Sequence, residues 1–305
     1  MLESQLLDDF TIELGHGSEI GLALSLATMM FSVALGLKPS SFAFLRSEPR
    51  AFLIGIVGQL VALPVLTLAL CVLIQPVPSV ALGMILIACC PGGNVSNMLV
   101  LLARGNAALS VSLTATSSLA AAFITPVAVL FWSGLYSPTA ELLSRIEFDA
   151  ISFLMQTSII LALPLLLGIS VNVYAPSIAN VIRKPLVLLS TATLLLLIVL
   201  GGARYWSVFL SIGVGLIGIV ALHNALAFSV GNLLARIGRV SVPDRRALTY
   251  EVGIQNSALG LVILLTQMGG MGGAAVVVGL WGTWHIVAGL LLVIIFRLAD
   301  KWSAT

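Results

Sequence analysis

The sequence predicts an all-α membrane protein of about nine transmembrane helices, arranged as inverted repeats (spans 1–4 and 6–9) with two crossing discontinuous helices, spans 3 and 8. Three observations predict it. Of the 305 residues, 59% are hydrophobic and only 9% are charged, whereas a soluble domain carries about 25% charged residues. The apolar residues fall into runs of the length that crosses a bilayer, about 20 residues each. Two of those runs are interrupted, at corresponding places in the two halves, by glycine or proline and a cluster of amide and hydroxyl side chains.

In chain order, span 1 is 19–38 and ends at Lys38. Span 2, 51–74, begins after Arg50, and span 3, 79–103, contains Pro91, Gly92 and Gly93 and stops before Arg104. Span 4 is 107–132, and span 5, 150–175, follows Asp149 and joins the halves. Span 6 is 185–203, after Arg183 and Lys184, and span 7 is 208–235, before Arg236. Span 8, 247–269, follows Arg245 and Arg246 and is interrupted at Gly253; span 9, 274–297, ends at Arg297. Pro and Gly recur inside the spans, which membrane helices tolerate. No long polar stretch marks a separate soluble domain, so 19–300 reads as one transmembrane domain preceded by an extracytoplasmic segment, 1–18.

Charge fixes an expected orientation. With the N-terminus outside and the C-terminus cytoplasmic, Lys38, Arg46, Arg50, Arg104, Arg183, Lys184, Arg236, Arg239, Arg245, Arg246, Arg297 and Lys301 fall inside, and of the 14 basic residues only Arg145 and Arg204 fall outside. This is the positive-inside bias of a multi-pass protein in a cell (inner or plasma) membrane. The acidic start, MLESQLLDDF, lacks the basic region of a signal peptide. A net charge of +2 gives no reason to expect a nucleic-acid partner. Cys71, Cys89 and Cys90 lie in apolar runs and do not form a disulfide framework.

With Glu19 counted with the acidic outer N-terminal segment at the edge of span 1, Glu251 is the one acid in the interior of a predicted span, and an intramembrane ionisable residue marks a functional site by default. A plainer reading has it snorkelling to the inner interface or paired with Arg246, about 7.5 Å away along a helix. Its neighbours favour function. Unwound backbone is tolerated at membrane depth only where it is buried in protein or lines a cavity. Half-helix C-termini present carbonyls that suit a cation, and half-helix N-termini present N–H groups that suit an anion. Inverted halves with broken helices are a design of secondary transporters. A carboxylate among carbonyl, amide and hydroxyl oxygens suits a hard cation, and no Cys/His pattern points to a transition metal. Ser110 and Thr114, four apart, share one helix face; alone, they are as well read as back-bonding to their own helix. Gln59 alone reads equally as a helix–helix hydrogen bond. His223 and Asn224 sit in span 7 at the counterpart of Gln59.

The segments CCPGGNVSNMLVLLARGNAALSVSLTATSS (89–118) and ALTYEVGIQNSALGLV (247–262) resemble the two signature segments of the bile acid:sodium symporter family. LGLKPSSF (35–42), GQLVALP (58–64) and LHN (222–224) fit the same resemblance. It implies a core domain (spans 2–4 and 7–9) and a panel domain (spans 1, 5 and 6), with two sodium sites. The first would use Ser96, Asn97, Ser110, Thr114 and Glu251; the second Gln59, Glu251, the carbonyls of Val252 and Ile254, and Gln255. Substrate contacts would come from Asn94, Asn256, Ser257 and His285. The chain departs from its relatives at Asn94, where many have Thr, at Ile254, often Met, and at Ile286, often Asn. Bacterial members commonly have ten spans; here nine are read.

The expected activity is sodium-coupled uptake of an organic anion, bile acid-like or a small carboxylate, by alternating access, with Na+ (two ions) as coupling ions. The partners are that anion and the lipid bilayer, and the protein a monomer or weak homodimer. The alternatives are a proton-coupled carrier using Glu251, an arsenite-type exporter using Cys89, and an intramembrane enzyme with Glu251 and His285 as an acid–base pair. No serine-nucleophile elbow or HExxH motif supports the enzyme.

Overall fold

The computed structural model describes residues 7–8, 11–12, 16–37, 48–204 and 213–302. Among them the regular structure is helical. The helices are α1 (His16–Ala34), α2 (Pro49–Val57), α3 (Leu63–Ile74), α4 (Pro78–Ala88), α5 (Asn94–Leu102), α6 (Ala107–Gly134), α7 (Ser137–Arg145), α8 (Ala150–Tyr174), α9 (Pro176–Arg204), α10 (Gly213–Ile237), α11 (Val242–Gly253), α12 (Ser257–Gln267) and α13 (Gly272–Trp302). Local chemistry sets many of the starts. Asn106, Asp149, Ser241 and Asn256 accept a backbone N–H of the first turn through their side chains, the N-cap bond that satisfies a donor with no partner in the helix. Asp149 is held below the usual carboxylate range by the Ser152 hydroxyl and the N–H groups it caps. Prolines sit in the first turns of α2, α4, α7 and α11, where a missing N–H breaks no bond.

Five helical stretches among the described residues are long and apolar enough to cross a membrane: Pro49–Ile74, Ala107–Gly134, Ala150–Tyr174, Gly215–Ile237 and Gly272–Trp302. They make this a multi-pass membrane protein. On α8, Ile151, Met155, Ile159, Leu163 and Leu166 are all more than half exposed. Spaced three and four apart, they form an apolar stripe on one helix face, suited to hydrocarbon rather than water.

Span 2 is one continuous run, but a π-helical turn, Gly58–Ala62, interrupts it between α2 and α3. Pro64 lies just beyond it and cannot donate, which favours a local change of hydrogen-bond spacing. Spans 3 and 8 are both broken. The first divides into α4 and α5 around Cys89–Gly93, the second into α11 and α12 around Ile254–Asn256. The two breaks meet: Gly92 and Gln255 form an isolated antiparallel bridge, and Asn256 N–H donates to the Pro91 carbonyl at 2.8 Å.

Two features differ from expectation. The helix that holds predicted span 6 (185–203) starts earlier, at Pro176, so Arg183 and Lys184 lie within α9. Pro185 removes the N–H that the Val181 carbonyl would receive, and Val181 is 74% exposed, so no buried acceptor is stranded. Between spans 4 and 5 the chain forms α7, a short helix that buries Thr139 and Leu142 and packs against α4 and α6. The predicted start of span 7 at 208 lies outside the described residues, as does Lys38 at the end of span 1.

α4, α12 and α13 contribute much of the main apolar core. Every residue of α4 from Ser79 to Ala88 is buried, so the helix is apolar all round, as a helix enclosed by others must be. A second apolar cluster, with Leu99, Leu113, Leu248 and Tyr250, backs the breaks from the α5 and α11 side. α1 packs on α8 and α9. Gly168 permits the α1–α8 approach: a Cβ there would lie 2.6 Å from the Phe31 carbonyl oxygen and from Ala34 Cβ.

Candidate functional site: an oxygen cluster where two broken helices meet

Glu251 is fully buried, in the last turn of α11. Its carboxylate meets side chains from two other helices. Ser96 Oγ and Ser110 Oγ each donate to Oε1 at 2.5 Å, and Thr114 Oγ1 lies 3.1 Å from Oε1 and 3.0 Å from Oε2. Asn97 Oδ1 joins the group, 2.8 Å from Ser110 Oγ and 3.3 Å from Thr114 Oγ1. Ser96 comes from the first turn of α5, just past the break, and its hydroxyl also reaches the Gly93 carbonyl at 2.7 Å. Ser110 and Thr114 come from one face of α6. All five residues expected at the first cation position are therefore together.

Their protons do not suffice. Three hydroxyls, with one proton each, face the Gly93 carbonyl, Asn97 Oδ1 and both carboxylate oxygens. Ser110 and Thr114 do not bond their own helix, as Thr116 and Ser133 do at 2.8 and 2.6 Å. Three hydroxyl protons against four oxygens leave one place for added positive charge, either a bound cation or a proton on the Glu251 carboxyl. A buried carboxylate without it carries a penalty of several kcal/mol.

Arg246 does not supply that charge. It is buried and turned the other way, donating to the Ala103 carbonyl at 2.8 Å, forming a two-pronged ion pair with Asp300, and lying over the Phe296 ring at 5.2 Å. Glu251 therefore neither snorkels nor pairs with Arg246. Nor does it pair with His285: its side-chain partners are Ser96, Ser110 and Thr114.

The second expected group surrounds the end of α11. Gln59, on the π-helical turn, donates from Nε2 to the Glu251 carbonyl at 2.9 Å. Gln255 donates from Nε2 to the Val252 carbonyl at 2.9 Å. Ile254 is extended, with φ −113° and ψ 111°, so its carbonyl has left the helical direction. Gly92 lies between the two groups: a Cβ there would be 2.8 Å from both Gln59 Nε2 and Glu251 Oε2.

Asn224, on α10, was not among the expected site residues. It donates from Nδ2 to the Gly253 carbonyl at 2.7 Å. The signal was the pair His223–Asn224 in an otherwise apolar run. What the run does not show is which carbonyl the amide meets. His223 is used differently, with Nε2 2.8 Å from Thr67 Oγ1 and its ring edge-on to Trp281.

Beside the breaks is a cavity of about 280 Å³ whose wall includes Gly93, Gln255, Asn256, Ser257, His285 and Ile286. Three of the four expected substrate residues thus line one space. Asn94 opens α5, and its side chain lies outside the described residues. Asn256 Oδ1 is taken up as the cap of α12, bonding Leu259 N–H at 3.1 Å, which leaves its amide nitrogen for a ligand.

Comparison with known proteins gives the family. The model of the Sodium Bile acid symporter family matches residues 23–209. The "Uncharacterized sodium-dependent transporter YocS" of Bacillus subtilis (strain 168) is 28% identical over 287 residues, 92% of this chain and 83% of that protein. The "Ileal sodium/bile acid cotransporter" of Homo sapiens is 30% identical over 239 residues, 78% of this chain and 67% of that protein. The "Probable sodium/metabolite cotransporter BASS1, chloroplastic" of Oryza sativa subsp. japonica is 35% identical over 217 residues, 71% of this chain. This chain spans 51% of that rice protein's length and 60% of its Arabidopsis thaliana counterpart's. The chain belongs to the sodium bile acid symporter family.

Proposed function

We propose that the protein is a secondary active transporter that couples sodium entry to uptake of an organic anion by alternating access. The observation that carries this reading is the cluster of Ser96, Asn97, Ser110, Thr114 and Glu251, whose oxygens outnumber the protons available to them. One Na+ binds there. A second binds at the end of α11, with Gln59, Glu251, Gln255 and the carbonyls of Val252 and Ile254. Glu251 serves both, which makes the sites interdependent. The names of the relatives support sodium as the coupling ion.

The anion binds in the cavity beside the breaks. No Lys or Arg is among the described residues lining it. Its charge is met instead by the N-terminal ends of α5 and α12 and by the bound sodium ions, with Asn94, Asn256, Ser257 and His285 giving directional contacts. Sodium thereby raises affinity for the anion, and by linkage the anion raises affinity for sodium. The chain crosses a cell membrane nine times with its N-terminus outside, as two inverted halves. Spans 2–4 and 7–9 form a core that holds the sites, and spans 1, 5 and 6 form a panel that moves against it. The apolar stripe on α8 and the packing of α1 on α8 and α9 support that grouping.

Thermal unfolding of the purified protein in NaCl, with matched KCl as control, tests the coupling ion. An ion that binds only the folded state stabilises it by about 2.7 kcal/mol at a hundredfold excess over Kd. The expected result is a sodium-specific rise in Tm that Glu251→Gln abolishes. Equal melting in the two salts would remove the basis for sodium coupling.

A further inference from the structure

A helix leaves its last four carbonyls without partners inside the helix. In α11 these are the carbonyls of Tyr250, Glu251, Val252 and Gly253. The first receives Ile254 N–H at 2.8 Å. The other three each receive a side-chain carboxamide: Gln59 on Glu251, Gln255 on Val252 and Asn224 on Gly253, at 2.9, 2.9 and 2.7 Å. Consecutive carbonyls at a helix end lie within a single turn, so the three amides ring one half-helix terminus. They come from three places in the chain: the π-helical turn of span 2, the break itself, and α10.

The same three amides share a second property. Gln59 Oε1, Gln255 Oε1 and Asn224 Oδ1 are all buried with no hydrogen-bond partner among the described residues. The residues are 2%, 1% and 0% exposed. Each amide has satisfied a carbonyl and stranded its own oxygen. A carboxamide that faces a carbonyl must present N–H, whereas one that faces a cation must present oxygen. Half a turn about the terminal side-chain bond exchanges the two.

We propose that Asn224 is a third carboxamide ligand at the second sodium site, and that Asn224, Gln59 and Gln255 turn together from half-helix carbonyls to the ion as it binds. The inference rests on the sodium-coupled reading above and adds to it a residue on span 7. In this device the N–H groups supply positive charge to the carbonyls until sodium replaces them. The ion then takes the oxygens of both the amides and the helix end. Because Asn224 is on α10, the ion ties α10 to α11.

The test is sodium-22 binding to the purified full-length protein, wild type and Asn224→Leu, with the sodium-dependent rise in Tm measured on the same samples and on Asn224→Asp. If Asn224 is a ligand, Asn224→Leu binds one ion fewer per chain than wild type. Asn224→Asp keeps an oxygen and loses the N–H, so it melts lower in KCl but regains at least the wild-type increment in NaCl. If Asn224 only caps the Gly253 carbonyl, Asn224→Leu binds as many ions as wild type, or Asn224→Asp shows no larger sodium increment than Asn224→Leu; either result overturns the proposal and leaves sodium coupling intact. Should Asn224→Leu not fold, the sodium increment of Asn224→Asp against wild type decides alone: a smaller increment overturns the proposal. No sodium binding by the wild type overturns both readings.

Discussion

Gly92 shows how little room separates the two oxygen groups. A methyl group there meets the amide of Gln59 and the carboxylate of Glu251, each at 2.8 Å, closer than van der Waals contact allows. Both neighbours are ends of side chains, so the fold survives Gly92→Ala while the site does not. Sodium affinity is expected to fall at least about tenfold, near 1.4 kcal/mol, with a smaller change of Tm in potassium. A full sodium response in Gly92→Ala would show that the glycine serves the backbone alone. At this scale much of the site was legible in the sequence. Glu251 is conspicuous as the acid inside a span, and Ser110 and Thr114 share a helix face by spacing alone. Asn224 was not legible as a site residue, because its role depends on which carbonyl of a distant helix is left without a partner. Asn94 stands at a family position where many relatives have Thr, and its side chain lies outside the described residues.

The broken helices are the elements that define the site, and one buried cluster fastens their ends. Arg246 on α11 donates to the Ala103 carbonyl, which follows α5, and pairs with Asp300 near the end of α13. It thus joins the second half of one broken helix to the first half of the other. Asp300→Asn removes the charge that faces the buried Arg246 guanidinium, and a loss of stability, read as a lower Tm, is expected. The loss should be equal in NaCl and KCl, because the pair is separate from Glu251; a sodium-specific loss would place Arg246 in the ion site. The breaks themselves could be read from Pro91, Gly92 and Gly93 and from Gly253 followed by polar residues, since proline and glycine interrupt a helix by known local rules. That the two breaks join through Gly92 and Gln255 could not, because an isolated bridge between residues so far apart in the chain leaves no periodic pattern. α7 was hidden for a different reason. Its helix is short and half polar, and the length criterion for a span passes over it.

At the scale of the molecule, the apolar runs and composition made a multi-pass membrane protein legible at once, and the family followed from two signature segments. The proposed inverted arrangement, the two proposed moving units and the identity of the anion concern motion and chemistry that no run of residues encodes directly. They bear on how the protein turns sodium binding into transport. The central claim is narrower: the oxygens around Glu251 hold sodium, and Glu251 is common to both ions. Equilibrium binding of sodium-22 to the purified protein, counted per chain for wild type and Glu251→Gln, tests it most directly. Two saturable ions in the wild type and none in Glu251→Gln is the result this account predicts; no saturable sodium in the wild type, or unchanged binding in Glu251→Gln, would contradict it.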